Sequence, residues 1–333
     1  MLPTEEPAAF DRALRHWFRR HQRALPWRST QRSPYAVVVS EFMLQQTQVA
    51  TVIPYFERWM KRFPDWKALA EAPESEVLKA WEGLGYYRRA RHLHRLAQEI
   101  DLHFQGCFPD DPTMMRALPG IGPYTAGAVA SLAFNLSVPL IDGNVERVFA
   151  RLFDLRGDIK SRVVQQLLWK RASDLMPSRQ AGEFNEALME LGALICIPKA
   201  PRCLECPVRR WCTAPDPASL PVRTRTTTLR QELTYARITS SNESIWMLNP
   251  DYPGRWKGFH RMPEFDPAGM NVLGDWTSLT YSITRYRVQA TVVMAEWKSK
   301  RADRNQPHGG WISMETLEAL PLPTPMRRML FPA

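Results

Sequence analysis

From Phe10 to about Trp211 apolar residues recur at helical intervals. In "EVLKAWEGLGYYRRARHLHRLAQEI", Val77, Leu78, Trp81 and Leu84 share that spacing, and the period restarts after Gly85, so the pattern predicts two helices parted by "GLG". "NVERVFARLFDL" and "GEFNEALMELGALIC" carry the same period. "SPYAVVVSEFMLQQTQV" opens as a helix should, with Ser33 at the N-cap and Pro34 in the first turn. Between about Pro215 and Arg230 the chain turns to "PDPASLPVRTRTTTLR", rich in Pro, Ser, Thr and Arg, which reads as a linker. Beyond it, "LTYARIT" and "RVQATVVMAEW" are β-branched and aromatic, with turn signals at Asn249-Pro250, Pro253-Gly254 and "MPEFDPAG", and "SMETLEAL" reads as one short helix. The pattern predicts a mainly α protein: an all-α body over residues 1–215, a linker over 216–230 and an α+β domain over 231–333, without internal repeats.

Length and charge sharpen this. A chain of 333 residues with 44% apolar content can bury two cores, as a soluble globular protein does. Its net charge of +10 points to a polyanionic partner, nucleic acid first, and the basic residues are spread through folded elements rather than gathered in a tail. No apolar run has the length of a membrane span, and "MLPTEEPAAF" lacks the basic n-region of a secretory signal. The expectation is a cytoplasmic protein with reduced thiols, nucleoid-associated if bacterial, and no membrane partner.

Four of the five cysteines fall in "CIPKAPRCLECPVRRWC": Cys196, Cys203, Cys206 and Cys212, spaced C-x6-C-x2-C-x5-C. In a reducing compartment four thiols this close hold a metal group rather than disulfides. Structural zinc sites usually show two short cysteine pairs where this run has one, and an iron–sulfur cluster also takes four thiolates. Lys199, Arg202, Arg209 and Arg210 decorate the intervening loops and suit a phosphate backbone. Cys107 stands apart, as a buried or idle thiol.

"LPGIGPYTAGAVASLAF" has neither the Gly-Lys-Ser/Thr of a P-loop nor the full dinucleotide-binding spacing after a strand. With helical text on both sides it reads as a helix–hairpin–helix, in which Gly120 and Gly122 let backbone N–H groups approach a phosphate at a helix N-terminus. Such a contact positions nucleic acid without reading its sequence. Two carboxylates stand out nearby. Glu41 shares a helix with Val37, Val38 and Leu44, where desolvation raises a carboxyl pKa and makes a general acid. Asp142, in "PLIDGNVERV", stands at a helix N-cap, where N–H groups and the helix dipole favour the anion. One neutral and one ionised carboxyl group suit cleavage of a glycosidic bond through an oxocarbenium-like transition state. No lysine occurs between Lys79 and Lys160, so this stretch offers no amine for Schiff-base chemistry.

The pieces "SEFMLQQTQVATVIPYFERW", "WEGLGYYRRARHLH", "LPGIGPYTAGA", "DGNVERV" and "FNEALMELGALIC", together with the four-cysteine run, span about residues 25 to 213. In them the chain resembles the helix–hairpin–helix DNA glycosylases with an iron–sulfur loop, and among these the MutY-type adenine glycosylases. The resemblance implies a helical barrel over about 31–140, and a cluster subdomain from 1–30 and 141–215 in which Cys196, Cys203, Cys206 and Cys212 hold a [4Fe-4S] cluster. It implies a monomer that extrudes adenine from double-stranded DNA where it is mispaired with 8-oxoguanine or guanine. Glu41 would protonate the leaving base and Asp142 would stabilise the cationic sugar, assisted by Tyr124 and Asn144. Trp27, Arg28 and Glu186 would line the base pocket, while Gln46 and Tyr86 would wedge into the stack. The related endonuclease III-type enzymes carry their catalytic lysine where Tyr124 stands, so the tyrosine implies a monofunctional enzyme that leaves an abasic site. The tail resembles the Nudix-like domain that recognises 8-oxoguanine in this family, without a Nudix catalytic box. In the loop where the family commonly carries Phe-Ser-His, the best alignment places Ile283, Thr284 and Arg285. The alternatives are a glycosylase for thymine opposite guanine, and a non-catalytic iron–sulfur DNA-binding protein.

Overall fold

The computed structural model describes residues 3–28, 32–224, 227–299 and 308–332. Backbone proximity divides the chain into two units, Met1–Ala72 with Arg88–Thr224, and Pro73–Tyr87 with Arg225–Ala333. The helices run in the order α1 (Pro7–His21), α2 (Pro34–Leu44), α3 (Val49–Arg62), α4 (Trp66–Glu71), α5 (Glu74–Ala80), α6 (Arg88–Phe104), α7 (Pro112–Ala117), α8 (Pro123–Leu132), α9 (Gly143–Leu152), α10 (Arg162–Leu175) and α11 (Ala181–Leu194). Of these α5 belongs to the second unit and the rest to the first. No helix among the described residues is long and apolar enough to cross a membrane.

In the first unit α11 packs against α1, α8 and α9, while α2 packs against α3, α6 and α8. The spacing of Phe10, Leu14, Trp17 and Phe18 on α1 makes one apolar stripe. That stripe closes a core with Phe149, Phe184, Leu188 and Trp211, in which the Phe10 and Trp211 rings meet edge to face at 5.5 Å. Helix α2 starts where its sequence says: Ser33 Oγ accepts from the Ala36 N–H at 3.1 Å. Its far end is held by Arg89, whose guanidinium donates to the carbonyls of Phe42 at 2.7 Å and Met43 at 3.0 Å. These groups have no partner within the helix, and the buried arginine supplies one.

The glycine loop joins α7 to α8, closed by the Ile121 N–H donating to Leu118 O at 3.2 Å. Gly120 has φ +76°, and a Cβ there would lie 2.8 Å from His92 Cβ and 3.0 Å from Phe42 Cζ. Only glycine satisfies both the conformation and the space. Gly127 serves another purpose: a Cβ would fall 2.2 Å from Pro139 O, so α8 lies directly against the chain leading into α9. That close approach brings Tyr124 and Asp142 to one cavity.

The second unit contains β1 (Leu229–Arg237), β2 (Ile245–Leu248), β3 (Met270–Ile283), β4 (Tyr286–Trp297), β5 (Gly309–Ile312), α12 (Met314–Ala319) and α13 (Thr324–Leu330). Its three-stranded sheet has the order β1-β4-β3, with β1 parallel and β3 antiparallel to β4. β2 and β5 form a separate antiparallel pair. Tyr235, Val292, Leu317, Met326 and Met329 fill the core. Residues 73–87 fasten to the C-terminal helices of this unit: Lys79 Nζ donates to Glu318 O at 2.8 Å, Tyr87 Oη to Leu322 O at 3.0 Å, and Arg327 pairs with Glu82. The expected strands are β1 and β4, and the long β3 between them adds to the reading. Residues 225 and 226 of the expected linker lie outside the described residues. Cys107 is exposed rather than buried.

Candidate active site

A cavity of about 670 Å³ opens between α2, α8, α9, α11 and the segment before α2, and Trp27, Arg28, Glu41, Gln46, Tyr124, Asp142, Asn144 and Glu186 all line it. The residues singled out for catalysis and for the base pocket are therefore brought together. Glu41 is 4% exposed, and its Oε2 accepts a hydrogen bond from Tyr124 Oη. Burial pushes the Glu41 carboxyl up to about 7; the Tyr124 hydroxyl opposes this, and the nearby Asp142 and Glu186 carboxylates add to it. Burial, with Glu41 and Asp142 beside it, also raises Tyr124 well above the usual phenol range, so its hydroxyl keeps its proton and donates.

Asp142 caps α9 as its position predicts. Oδ1 accepts from the N–H groups of Asn144 at 2.9 Å and Val145 at 2.7 Å, and Oδ2 accepts from Asn144 Nδ2 at 2.8 Å. Capping alone would lower this carboxyl, yet burial raises it above the ordinary aspartate range against those three bonds and Arg147. Both oxygens already accept N–H donors, an arrangement that favours the carboxylate. The ionised form therefore rests on donated bonds, not on contact with water.

On the far wall an ionic lattice replaces the simple lining expected. Arg28 Nε donates to Glu186 at 3.0 Å and its Nη2 to Glu190 at 3.0 Å. Arg32 donates to Glu186 at 2.7 Å, and Arg23 to Glu190 through both Nε at 2.9 Å and Nη2 at 2.8 Å. Burial would raise the Glu190 carboxyl, but Arg23 and Arg28 outweigh it and hold it at about 2. Trp27 meets the ring of Phe56 edge to face at 5.5 Å. A flat wall with fixed donors and acceptors suits a heterocyclic base. Arg23, Arg32 and Glu190 escaped the sequence reading. Glu186 and Glu190 stand four apart in the apolar run "NEALMELGAL", a spacing that places both carboxylates on one face and could have flagged the second.

Helix α9 leads from this cavity to the cysteines. Arg147 Nη2 donates to Asn144 Oδ1 at 2.9 Å and to Gly192 O at 2.7 Å, while its Nε donates to Cys196 O at 2.7 Å. One turn on, buried Arg151 donates to Cys196 Sγ at 3.3 Å, Ile197 O at 2.8 Å and Pro198 O at 2.6 Å. Cys196, Cys203, Cys206 and Cys212 line one cavity of about 230 Å³. Burial, and behind it the neighbouring thiols, pushes Cys206 up to about 12 and raises Cys212 as well. Such a set is satisfied by a positively charged group that takes all four as thiolates. Among the described residues no three His, Cys, Asp or Glu side chains converge as a single-ion site.

The expected nucleic-acid contacts are placed as follows. Gly120 lies in the hairpin and Gly122 is the N-cap of α8. Gln46, at the cavity, and Tyr86, 47% exposed, both hold left-handed backbone, with φ 59° and 48°. Thr284 and Arg285 form the two-residue turn between β3 and β4, where Ile283 pairs with Tyr286. Thr284 has φ 51°, a costly conformation for a β-branched residue. Arg285 lies over the Tyr286 ring at 5.5 Å.

A profile of the HhH-GPD superfamily of base excision DNA repair proteins matches residues 39–174. Over 260 residues the chain is 35% identical to the adenine DNA glycosylase of Buchnera aphidicola subsp. Acyrthosiphon pisum (strain APS), an overlap that is 77% of this chain and 74% of that protein. It is 44% identical over 217 residues to the adenine DNA glycosylase of Homo sapiens, covering 63% of this chain and 40% of the human protein. The solved structure of a thermostable thymine-DNA glycosylase superposes with a TM-score of 0.57 at 28% identity, over 63% of this chain and 96% of that one. The chain thus belongs to the HhH-GPD superfamily of base excision DNA repair proteins and, within it, to the MutY-type adenine DNA glycosylases.

Proposed function

We infer that this protein is an adenine DNA glycosylase of base excision repair, acting as a monomer in the cytoplasm on double-stranded DNA in which adenine faces 8-oxoguanine or guanine. One observation carries the reading: a buried Glu41, held by the Tyr124 hydroxyl, lines the same cavity as a hydrogen-bonded Asp142. With adenine extruded into the cavity, Glu41 gives its proton to a ring nitrogen of the base. The electron pair of the N-glycosidic bond leaves with adenine, and the sugar becomes an oxocarbenium ion. The Asp142 carboxylate, 2.8 Å from its Asn144 partner, stabilises that cation. Water then adds at the sugar carbon and gives up a proton, restoring the acid form of Glu41 through solvent, and an abasic site remains. The Arg28–Glu186 wall and Trp27 hold the base while Gln46 and Tyr86 fill its place in the stack.

No lysine is among the described residues lining the cavity, and the lysine that approaches α9, Lys160, pairs with Glu146 at 2.9 Å. This supports a monofunctional enzyme with no covalent sugar intermediate. Cys196, Cys203, Cys206 and Cys212 would hold a [4Fe-4S] cluster, which when bound ties their loops together and fixes the exposed Lys199, Arg202, Arg209 and Arg210 toward DNA. The Thr284-Arg285 turn would meet the 8-oxoguanine, Thr284 through its hydroxyl and Arg285 as a donor.

The test is incubation of excess protein with duplexes carrying adenine opposite 8-oxoguanine, adenine opposite guanine, or thymine opposite guanine. The expected result is cleavage at adenine only, visible only after alkali, and fastest opposite 8-oxoguanine. Strand breaks without alkali, or a borohydride-trapped adduct, would contradict the monofunctional reading. Release of thymine but not adenine would overturn the substrate.

A further inference from the structure

Among the described residues five cations line the active cavity, and four are already committed. Arg23, Arg28 and Arg32 are paired with Glu186 and Glu190, and Arg147 serves Asn144 and three backbone carbonyls. Arg223 is the fifth. Its side chain is 53% exposed, and its one ion pair among the described residues is a 3.5 Å approach to Glu146. Glu146 does not depend on it, since Lys160 at 2.9 Å and Gln165 at 3.0 Å already donate to that carboxylate.

The segment that carries Arg223 is fastened on both sides, although the sequence reads it as linker. Arg151 Nε donates to Leu220 O at 3.0 Å. The Ile159 N–H donates to Val222 O at 2.9 Å, and the Thr224 N–H to Asp158 Oδ2 at 3.2 Å. Leu220 is buried. Three anchors thus flank one arginine that lines the cavity and whose head reaches Glu146, on the same helix α9 that Asp142 caps. With Glu186 and Glu190 covered by Arg23, Arg28 and Arg32 and Glu41 favoured in its neutral form, the Asp142 carboxylate is the charge the cavity turns toward a DNA backbone, which it repels.

We propose that Arg223 is a positioning residue that grips a backbone phosphate next to the extruded nucleotide, offsetting this repulsion and setting the sugar against Asp142. The proposal rests on the reading of the protein as a glycosylase of extruded bases. A guanidinium on a pinned segment meets a phosphate with two donors and little loss of chain freedom. Extrusion swings that phosphate within reach of Arg223, so its contribution belongs to the extruded state.

The test measures binding by Arg223→Gln, Arg223→Lys and the unaltered protein to two duplexes across a salt series. One carries a tetrahydrofuran abasic analogue opposite 8-oxoguanine, and the other is fully paired. For Arg223→Gln the expected result is about tenfold weaker binding to the abasic duplex. Its slope of log affinity against log salt becomes shallower by about 0.9. Binding to the paired duplex changes by less than about twofold, and Arg223→Lys keeps the slope. Equal losses on both duplexes, or an unchanged slope with a lowered melting temperature, would reduce Arg223 to an anchor of its segment and overturn the proposal. Adenine release by the unaltered protein is read separately, so failure of the glycosylase reading shows there and not here.

Discussion

Glu41→Gln is expected to slow adenine release by about 10²–10⁴-fold while leaving duplex affinity and melting temperature near those of the unaltered protein. Glu41 sits on α2 at 4% exposure with one oxygen accepting from Tyr124. Glutamine keeps the shape and an acceptor for that hydroxyl but has no proton to give. Because burial already favours the neutral carboxyl, replacing it by a neutral amide removes no buried charge that the fold relies on. Single-turnover cleavage together with a binding titration checks the claim. A variant that cleaves at more than about a tenth of the original rate would remove Glu41 from the proton transfer.

Asp142→Asn is expected to slow the same step by about 10²–10³-fold, the scale of one preorganised electrostatic group aimed at developing charge. Here two roles must be separated, because Asp142 also caps α9. Asparagine caps a helix about as well as aspartate, so its one oxygen keeps the bonds from the Asn144 and Val145 N–H groups, while the bond from Asn144 Nδ2 is lost. The cost in stability stays within about 1 kcal/mol, although the charge facing the sugar is gone. A large fall in melting temperature with an equal fall in rate would make Asp142 structural. A fall in rate alone identifies the electrostatic role.

Much of this site was legible because its signals are local. Ser33 and Asp142 announce their helices through short-range caps, and both bonds form as the sequence implies. The glycine hairpin is visible because Gly120 demands a conformation and a space that other residues cannot share. What sequence could not supply is partnership across distance. Glu41 and Tyr124 are 83 positions apart, and Arg23 meets Glu190 across 167. A carboxylate in a helix looks the same whether an arginine waits for it or not. The upward shift of Asp142 was hidden for the same reason: its cap is local but its burial is not. In the second unit β3 was obscured because its pairing slips between Val272 and Gly274 and again between Asp275 and Thr277, which breaks the alternation that marks a strand. The membership of residues 73–87 in that unit depends on Lys79, Glu82 and Tyr87 finding partners more than two hundred positions away.

The central claim is that a buried, protonated Glu41 starts base release, and pH tests it most directly. The carboxyl is raised from the ordinary glutamate value of 4.5 to about 7, so the acid form prevails below about pH 7 and is lost as pH rises through it. The measurement is the single-turnover rate of adenine release, at saturating protein, from about pH 6 to about pH 9. The account predicts a plateau below about pH 7 and a fall approaching tenfold per unit above it, absent in Glu41→Gln. A rate that holds level through about pH 8 and beyond would contradict it.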